Sequence, residues 1–221
     1  VVLTEAPPSR GQIVYVFGGE VWRYLVDLNS TEQITSGSSG FYSNLMVSGD
    51  GVFAAYNRDD VIHILNLYDG SEQLLGDVGN FVNWGEAEGE IYTFKSDLIC
   101  EDFADDIQNQ DQINYDVLRV NISDTSSTFT VANIPGGMRQ PQGVFNYGTW
   151  ASMASCGCYS ECGGYSLWYL PTVTQLSHPD VGTNAGGFSF SPDYSQVTFS
   201  NLQMYGYFPV SYTHLTLPTK R

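Results

Sequence analysis

Basic charge is scarce in this 221-residue chain. Eight lysines and arginines stand against 24 aspartates and glutamates, the net charge is −16 and the isoelectric point lies near 4.1. So acidic a chain repels phosphate backbones and anionic lipid surfaces, which excludes nucleic acid as an expected partner. The acidity suits solubility in an extracytoplasmic or saline setting better than it suits an acidic docking surface. Histidine is rarer still, with three residues. No apolar run reaches the ~20 residues that a membrane-spanning helix needs. Common catalytic fingerprints are missing as well. There is no Gly-x-Ser-x-Gly elbow, no phosphate loop and no dinucleotide-binding glycine pattern, and Gly37-Ser38-Ser39-Gly40 lacks the elbow's spacing. The expected catalytic and cofactor-binding sets are therefore empty. The chain shows neither an opening methionine nor a signal peptide, and Val1 to Arg10, with Pro7-Pro8, reads as a linker; the expectation is a fragment of a longer protein.

What the chain has instead is aromatics and turn formers: 14% Phe, Trp and Tyr, 15 tyrosines and 23 glycines. Short apolar runs alternate with Gly, Ser, Asn and Asp, a pattern that favours an all-β domain over disorder. Thr174 to Ser200 shows the grammar most fully. A short strand leads to Gly187-Phe188-Ser189-Phe190, then the turn Ser191-Pro192-Asp193, then Gln196-Val197-Thr198-Phe199. Pro192 presets φ for a tight turn, while Ser191 and Asp193 can bond neighbouring amides, so a β-hairpin is predicted. An earlier copy runs Asn44-Leu45-Met46-Val47, Ser48-Gly49-Asp50-Gly51, Val52-Phe53-Ala54-Ala55-Tyr56. The hairpin thus reads as one copy of a repeat.

The second strands of the copies start near Ile13, Val52, Ile91, Trp150 and Val197, about 39, 39, 59 and 47 residues apart. The shorter spacings approach the ~40–45 residue period of four-stranded blades, and the longer ones must hold insertions. Asp69-Gly70, between Val61–Leu67 and Gln73–Leu75, predicts a hairpin. The apolar runs are continuous rather than alternating, which suits strands covered on both faces. Residues 1–10 are read as linker and 11–208 as an incomplete repeat domain, with units near 11–36, 41–76, 79–134, 142–177 and 185–206.

Leu176-Ser177-His178-Pro179, a polar spacer and Phe190-Ser191-Pro192-Asp193 resemble the repeat of WD40-like (TolB-type) β-propellers. Tyr194 stands where that family usually has glycine, and the earlier copy has Gly49 in place of proline. The resemblance implies an all-β fold, a fragment of a β-propeller with four-stranded antiparallel blades. It also implies a non-catalytic, TolB-like interaction module, extracytoplasmic, whose protein or small-ligand partners dock on the disc face and channel mouth. The alternative is the non-catalytic propeller of a prolyl-oligopeptidase-type serine peptidase; a polysaccharide lyase would need a histidine-based metal site that these residues do not assemble. Val210-Ser211-Tyr212-Thr213-His214-Leu215-Thr216-Leu217-Pro218-Thr219 resembles a translated sequencing-library adapter, so 209–221 are expected to be a non-native tail.

Two polar excursions, Ser96 to Asn114 and Cys156 to Gly164, occupy the same slot between second and third strands. Strand alternation would bring them out on one face, with Cys100 near Cys156, Cys158 and Cys162. The expected disulfides join Cys100 to Cys156 or Cys158 and Cys162 to the thiol left over, which implies an oxidising compartment. A four-thiolate zinc site and free thiols are the alternatives. Asp105, Asp106 and Asp111, beside Glu101 and Asp102, are the candidate metal ligands, and calcium is the ion they would suit; a solvated acidic loop is the plainer reading. His63 lies in an apolar strand and is expected to be packed and hydrogen-bonded, and His178 sits beside a turn. Asn29-Ser30-Thr31 and Asn121-Ile122-Ser123 match the glycosylation acceptor pattern.

Overall fold

The computed structural model describes residues 11–37, 42–59, 61–96, 114–135, 139–155, 163–176, 185–191, 196–201 and 212–216. Among them the regular structure is β, apart from a short 3₁₀ turn at Leu170–Thr172. The chain divides into two compact units, residues 1–93 with 120–128, and residues 94–119 with 129–221.

The first unit begins with an antiparallel sheet of β1 (Gln12–Phe17), β2 (Glu20–Leu25) and β3 (Ser30–Gln33). A two-residue hairpin of the type I′ kind joins β1 to β2, and that turn needs positive φ at both central residues. Gly18 and Gly19 supply it, at 62° and 77°. The second sheet is a four-stranded meander, β4 (Tyr42–Val47), β5 (Phe53–Arg58), β6 (Val61–Asn66) and β7 (Glu72–Leu75).

The inner strands β5 and β6 are buried on both faces, as their continuous apolar runs predict. Register pairs Ala54 with Leu65 and Tyr56 with His63 on one face, and Ala55 with Ile64 and Asn57 with Ile62 on the other. Ala54, Tyr56, Leu65 and Leu67 pack with Val21 and, at the margin, Val14 and Ile34 of the first sheet. Burying each large side chain of this kind contributes about 1.5–3 kcal/mol. On the opposite face Asn57 clamps the next strand, β8 (Asn80–Trp84): its Nδ2 donates to Phe81 O at 3.0 Å and its Oδ1 accepts from Phe81 N at 2.7 Å. Asn44 Nδ2 adds a third bond, to Phe81 O at 3.1 Å.

A third sheet has the order β11 (Asp124–Pro135), β10 (Asn114–Asn121), β9 (Glu90–Ser96), β8. The excursion expected from Ser96 to Asn114 falls between its second and third strands. In the second unit, β12 (Arg139–Phe145), β13 (Trp150–Ser155) and β14 (Gly163–Tyr169) form a meander, with the cysteine-bearing loop again between second and third strands. Trp150, Leu167 and Val197 make its core, with Phe145, Tyr169, Leu176, Phe188 and Phe190 against them.

The fourth strand here, β15 (Thr174–Gln175), is only two residues long and pairs with Trp168 and Tyr169. The rest of the β14 edge stays open, and unpaired edge amides recruit another strand. β16 (Ala185–Phe190) pairs there through Tyr165 and Ala185, so the expected fourth and fifth units share one seven-stranded sheet with β17 (Gln196–Asn201) and β18 (Tyr212–Thr216). The β18 segment, read from sequence as part of the tail, pairs with β17 from Gln196↔Thr216 to Ser200↔Tyr212.

The two copies of the repeat turn close alike. Ser48 N donates to Phe53 O at 2.8 Å and Phe53 N to Ser48 Oγ at 2.9 Å; Ser191 N donates to Gln196 O and Gln196 N to Ser191 Oγ, both at 3.0 Å. Pro192 and Asp193 lie outside the described residues.

Candidate functional site

A groove of about 260 Å³ opens in the first unit between two turns, β4 to β5 and β8 to β9. Ser48, Gly49, Asp50 and Phe53 line one side, and Trp84 to Gly89 the other. Each wall is fixed from within. Asp50 Oδ1 accepts from Ser48 Oγ at 2.6 Å and from Val52 N at 3.0 Å, which closes the first turn. Gly85 N donates to Glu90 O at 2.8 Å across the second. Trp84 ties the walls together, its Nε1 donating to Met46 O at 3.0 Å, and its ring meets Phe81 edge-on at 6.2 Å. Tyr92 donates its hydroxyl to Glu86 Oε2 at 3.1 Å. The groove therefore offers two aromatic side chains and the carboxylates of Asp50, Glu86 and Glu88, a surface suited to a cation that carries some apolar length.

A second polar cluster sits inside the sheet β4–β7. His63 is 4% exposed and stacks on Tyr56, its register partner, at 5.1 Å between ring centres and 7° between planes. Its Nδ1 lies 2.8 Å from Glu72 Oε1, at which an Nδ1–H donates to the carboxylate, and 3.2 Å from the Arg58 guanidinium. Tyr56 donates its hydroxyl to the same Glu72 oxygen, and Arg58 stands 3.7 Å from the other. For Glu72 the largest single influence is burial, which pushes its pKa up; the Tyr56 and His63 hydrogen bonds and the His63 and Arg58 charges together outweigh it and hold the carboxyl below its ordinary value. The imidazole is packed and hydrogen-bonded, as its apolar strand implied. These groups serve one another across three strands.

Cys100, Cys156, Cys158 and Cys162, the candidate ligands Asp105, Asp106 and Asp111, and His178 lie outside the described residues. Among the described residues no group of three or more His, Cys, Asp or Glu side chains could hold a metal ion. The groove residues were missed from sequence. Their signal is Trp84-Gly85-Glu86-Ala87-Glu88-Gly89, an aromatic strand end running into an acidic, glycine-flanked turn.

No protein-family profile and no curated protein sequence matches the chain. Solved structures do. An oligogalacturonate lyase from Vibrio parahaemolyticus aligns with a TM-score of 0.57 at 12% identity, over 82% of this chain and 52% of that one. An oligogalacturonate lyase in complex with manganese gives 0.58 at 11%, over 85% and 54%. A prolyl endopeptidase gives 0.54 at 12%, over 88% of this chain and 32% of that one. The chain thus spans about half the length of the lyases it resembles. Likeness at such identity carries the fold alone. With the successive four-stranded antiparallel sheets, it defines the chain as all-β, a fragment of a β-propeller.

Proposed function

We propose that this propeller fragment belongs to a TolB-like, non-catalytic binding module that works outside the cytoplasm and holds a protein or small ligand at the turn-lined end of its sheets. The observation that carries this reading is the groove between the Ser48–Val52 and Gly85–Gly89 turns, with Trp84 and Phe53 beside Asp50, Glu86 and Glu88. Charge complementarity makes the occupant cationic, such as a lysine or arginine side chain of a partner protein. The reading includes no cofactor; calcium at Asp105, Asp106 and Asp111 is the one addition it would accommodate. Nucleic acid has no place in it, since the net charge of −16 opposes a polyanion.

The test is a titration with a short lysine-containing peptide, followed by tryptophan fluorescence at low and high salt. Saturable binding that weakens with salt and disappears in Trp84→Ala and in Asp50→Asn/Glu86→Gln/Glu88→Gln supports the reading. A flat titration, or binding that both variants retain, refutes it.

A second reading draws on the prolyl endopeptidase likeness, which takes in 88% of this chain. In it the propeller restricts access to a hydrolase domain elsewhere in the parent. A reading frame that continues into a Gly-x-Ser-x-Gly-bearing α/β segment would favour the peptidase, and one that stops soon after the last repeat would favour the binding module.

A further inference from the structure

Three glycines line the groove, Gly49, Gly85 and Gly89, and the fold itself requires two of them. A Cβ on Gly85 would lie 2.9 Å from Glu90 Cβ and 3.3 Å from Glu90 O, too close for any side chain. Gly89 has a φ of 70°, in the left-handed region where other residues are strained. Gly49 answers to neither reason. Its φ lies outside that region, and a Cβ built on it meets no atom within 4 Å.

The turn around Gly49 favours a different residue there. Gly51 N donates to Ser48 O at 2.9 Å, and neither central residue, Gly49 or Asp50, has positive φ, which is the pattern of a type I turn. Such turns favour serine in the first place, proline in the second and glycine in the fourth. Ser48 and Gly51 follow that preference and Gly49 departs from it, whereas the other copy of the turn carries Pro192 after Ser191. Proline at 49 would break no hydrogen bond, because among the described residues neither the N–H nor the C=O of Gly49 has a partner. Within the fold, glycine here only adds freedom to the unfolded chain, which lowers stability. What its bare Cα leaves is room on the groove wall that faces Trp84 to Gly89, and glycine is the residue that lets a ligand approach the backbone closely.

We infer that Gly49 is a specificity-determining position of the groove: it lets the main chain of a bound peptide pass against the turn, while the lysine or arginine side chain of that peptide reaches Asp50, Glu86 and Glu88. The inference rests on the cationic-ligand reading of this groove and narrows it, from any cation to a peptide segment. A side chain at 49 would exclude the peptide main chain and still admit a small cation.

The experiment compares Gly49→Pro and Gly49→Leu with the native 221-residue chain by thermal melting and by titration with two probes. One is the lysine-containing peptide; the other is n-butylammonium, which has the charge and length of the lysine side chain and no main chain. Gly49→Pro should melt about 1–4 °C higher than the native chain, and Gly49→Leu within about 2 °C of it. Both variants should bind the peptide at least about tenfold more weakly and n-butylammonium within about twofold of native. Peptide binding that both variants keep overturns the inference and leaves the groove reading standing. So does an equal loss for both probes, since the added side chain would then block the groove as a whole, or a Gly49→Pro chain that melts below the native one, since the turn itself would then need glycine. A native chain that binds neither probe refutes the groove reading, and the inference falls with it.

Discussion

Asn57→Leu tests the packing of neighbouring sheets at one atom pair. Asn57 is almost fully buried, and its carboxamide satisfies both backbone groups of Phe81, the N–H at 2.7 Å and the C=O at 3.0 Å. Leucine keeps the approximate volume and removes both bonds. The carbonyl retains Asn44 Nδ2 at 3.1 Å, so only the Phe81 N–H is orphaned. A buried unsatisfied amide costs about 1–3 kcal/mol. For a chain of this length each 1 kcal/mol moves the melting temperature by about 2–4 °C, so a fall of roughly 2–12 °C is expected. Asn44→Gly, which suits the φ of 55° at that position, should cost less, because Asn57 still serves the carbonyl. The double variant leaves both Phe81 groups bare and should cost more than the two singles added, by about 0.5 kcal/mol or more. Urea unfolding gives the energies, and hydrogen exchange at the Phe81 amide reports the local event. If Asn57→Leu shifted stability by under about 0.5 kcal/mol with that amide still protected, or if the two changes simply added, the clamp would not hold the sheets as described.

Glu72→Gln should change the acid limb of stability. The Glu72 carboxyl is held below its ordinary value, so its contribution is full above the ordinary glutamate range and is lost as pH falls through the depressed value. As pH falls through and below the ordinary glutamate range the native chain should therefore lose more stability than Glu72→Gln, which should be the less stable of the two at pH 7; parallel curves in urea melts at several pH values would contradict this. Gly143→Ala should disrupt the second unit, because a Cβ at 143 would lie 2.3 Å from Phe145 Cζ. The ring would have to leave its contact with Phe190, now 4.6 Å between centres, and near-ultraviolet circular dichroism should lose aromatic signal while the far-ultraviolet β signal persists; an unchanged aromatic spectrum would count against the packing described.

Much of the strand map was legible because it rests on local chemistry. Gly18-Gly19, Asp69-Gly70 and the Ser48 turn each state a backbone requirement within a few residues, and the five expected second strands fall within a residue of the starts of β1, β5, β9, β13 and β17. The slot of both excursions followed from counting strands. The candidate groove was not legible. Asp50 and Glu86 are 36 positions apart in sequence, and nothing local reveals that two turns of neighbouring sheets leave a gap between them. The partner of His63 was hidden for a related reason. Glu72 reaches it from the adjacent strand by a diagonal that exists only once β6 and β7 are in register.

The sequence by itself determined that the chain is a series of short antiparallel strands and where it turns, since glycine, serine and aspartate act on their own backbone. It also determined the net charge of −16. Only the tertiary structure decided which face of each sheet is covered, that Asn57 reaches across to Phe81, and that β14 accepts β16 where β15 is too short to pair along it. Those outcomes depend on how sheets meet, and burial and hydrogen-bond pairing between distant residues are settled only when the sheets pack.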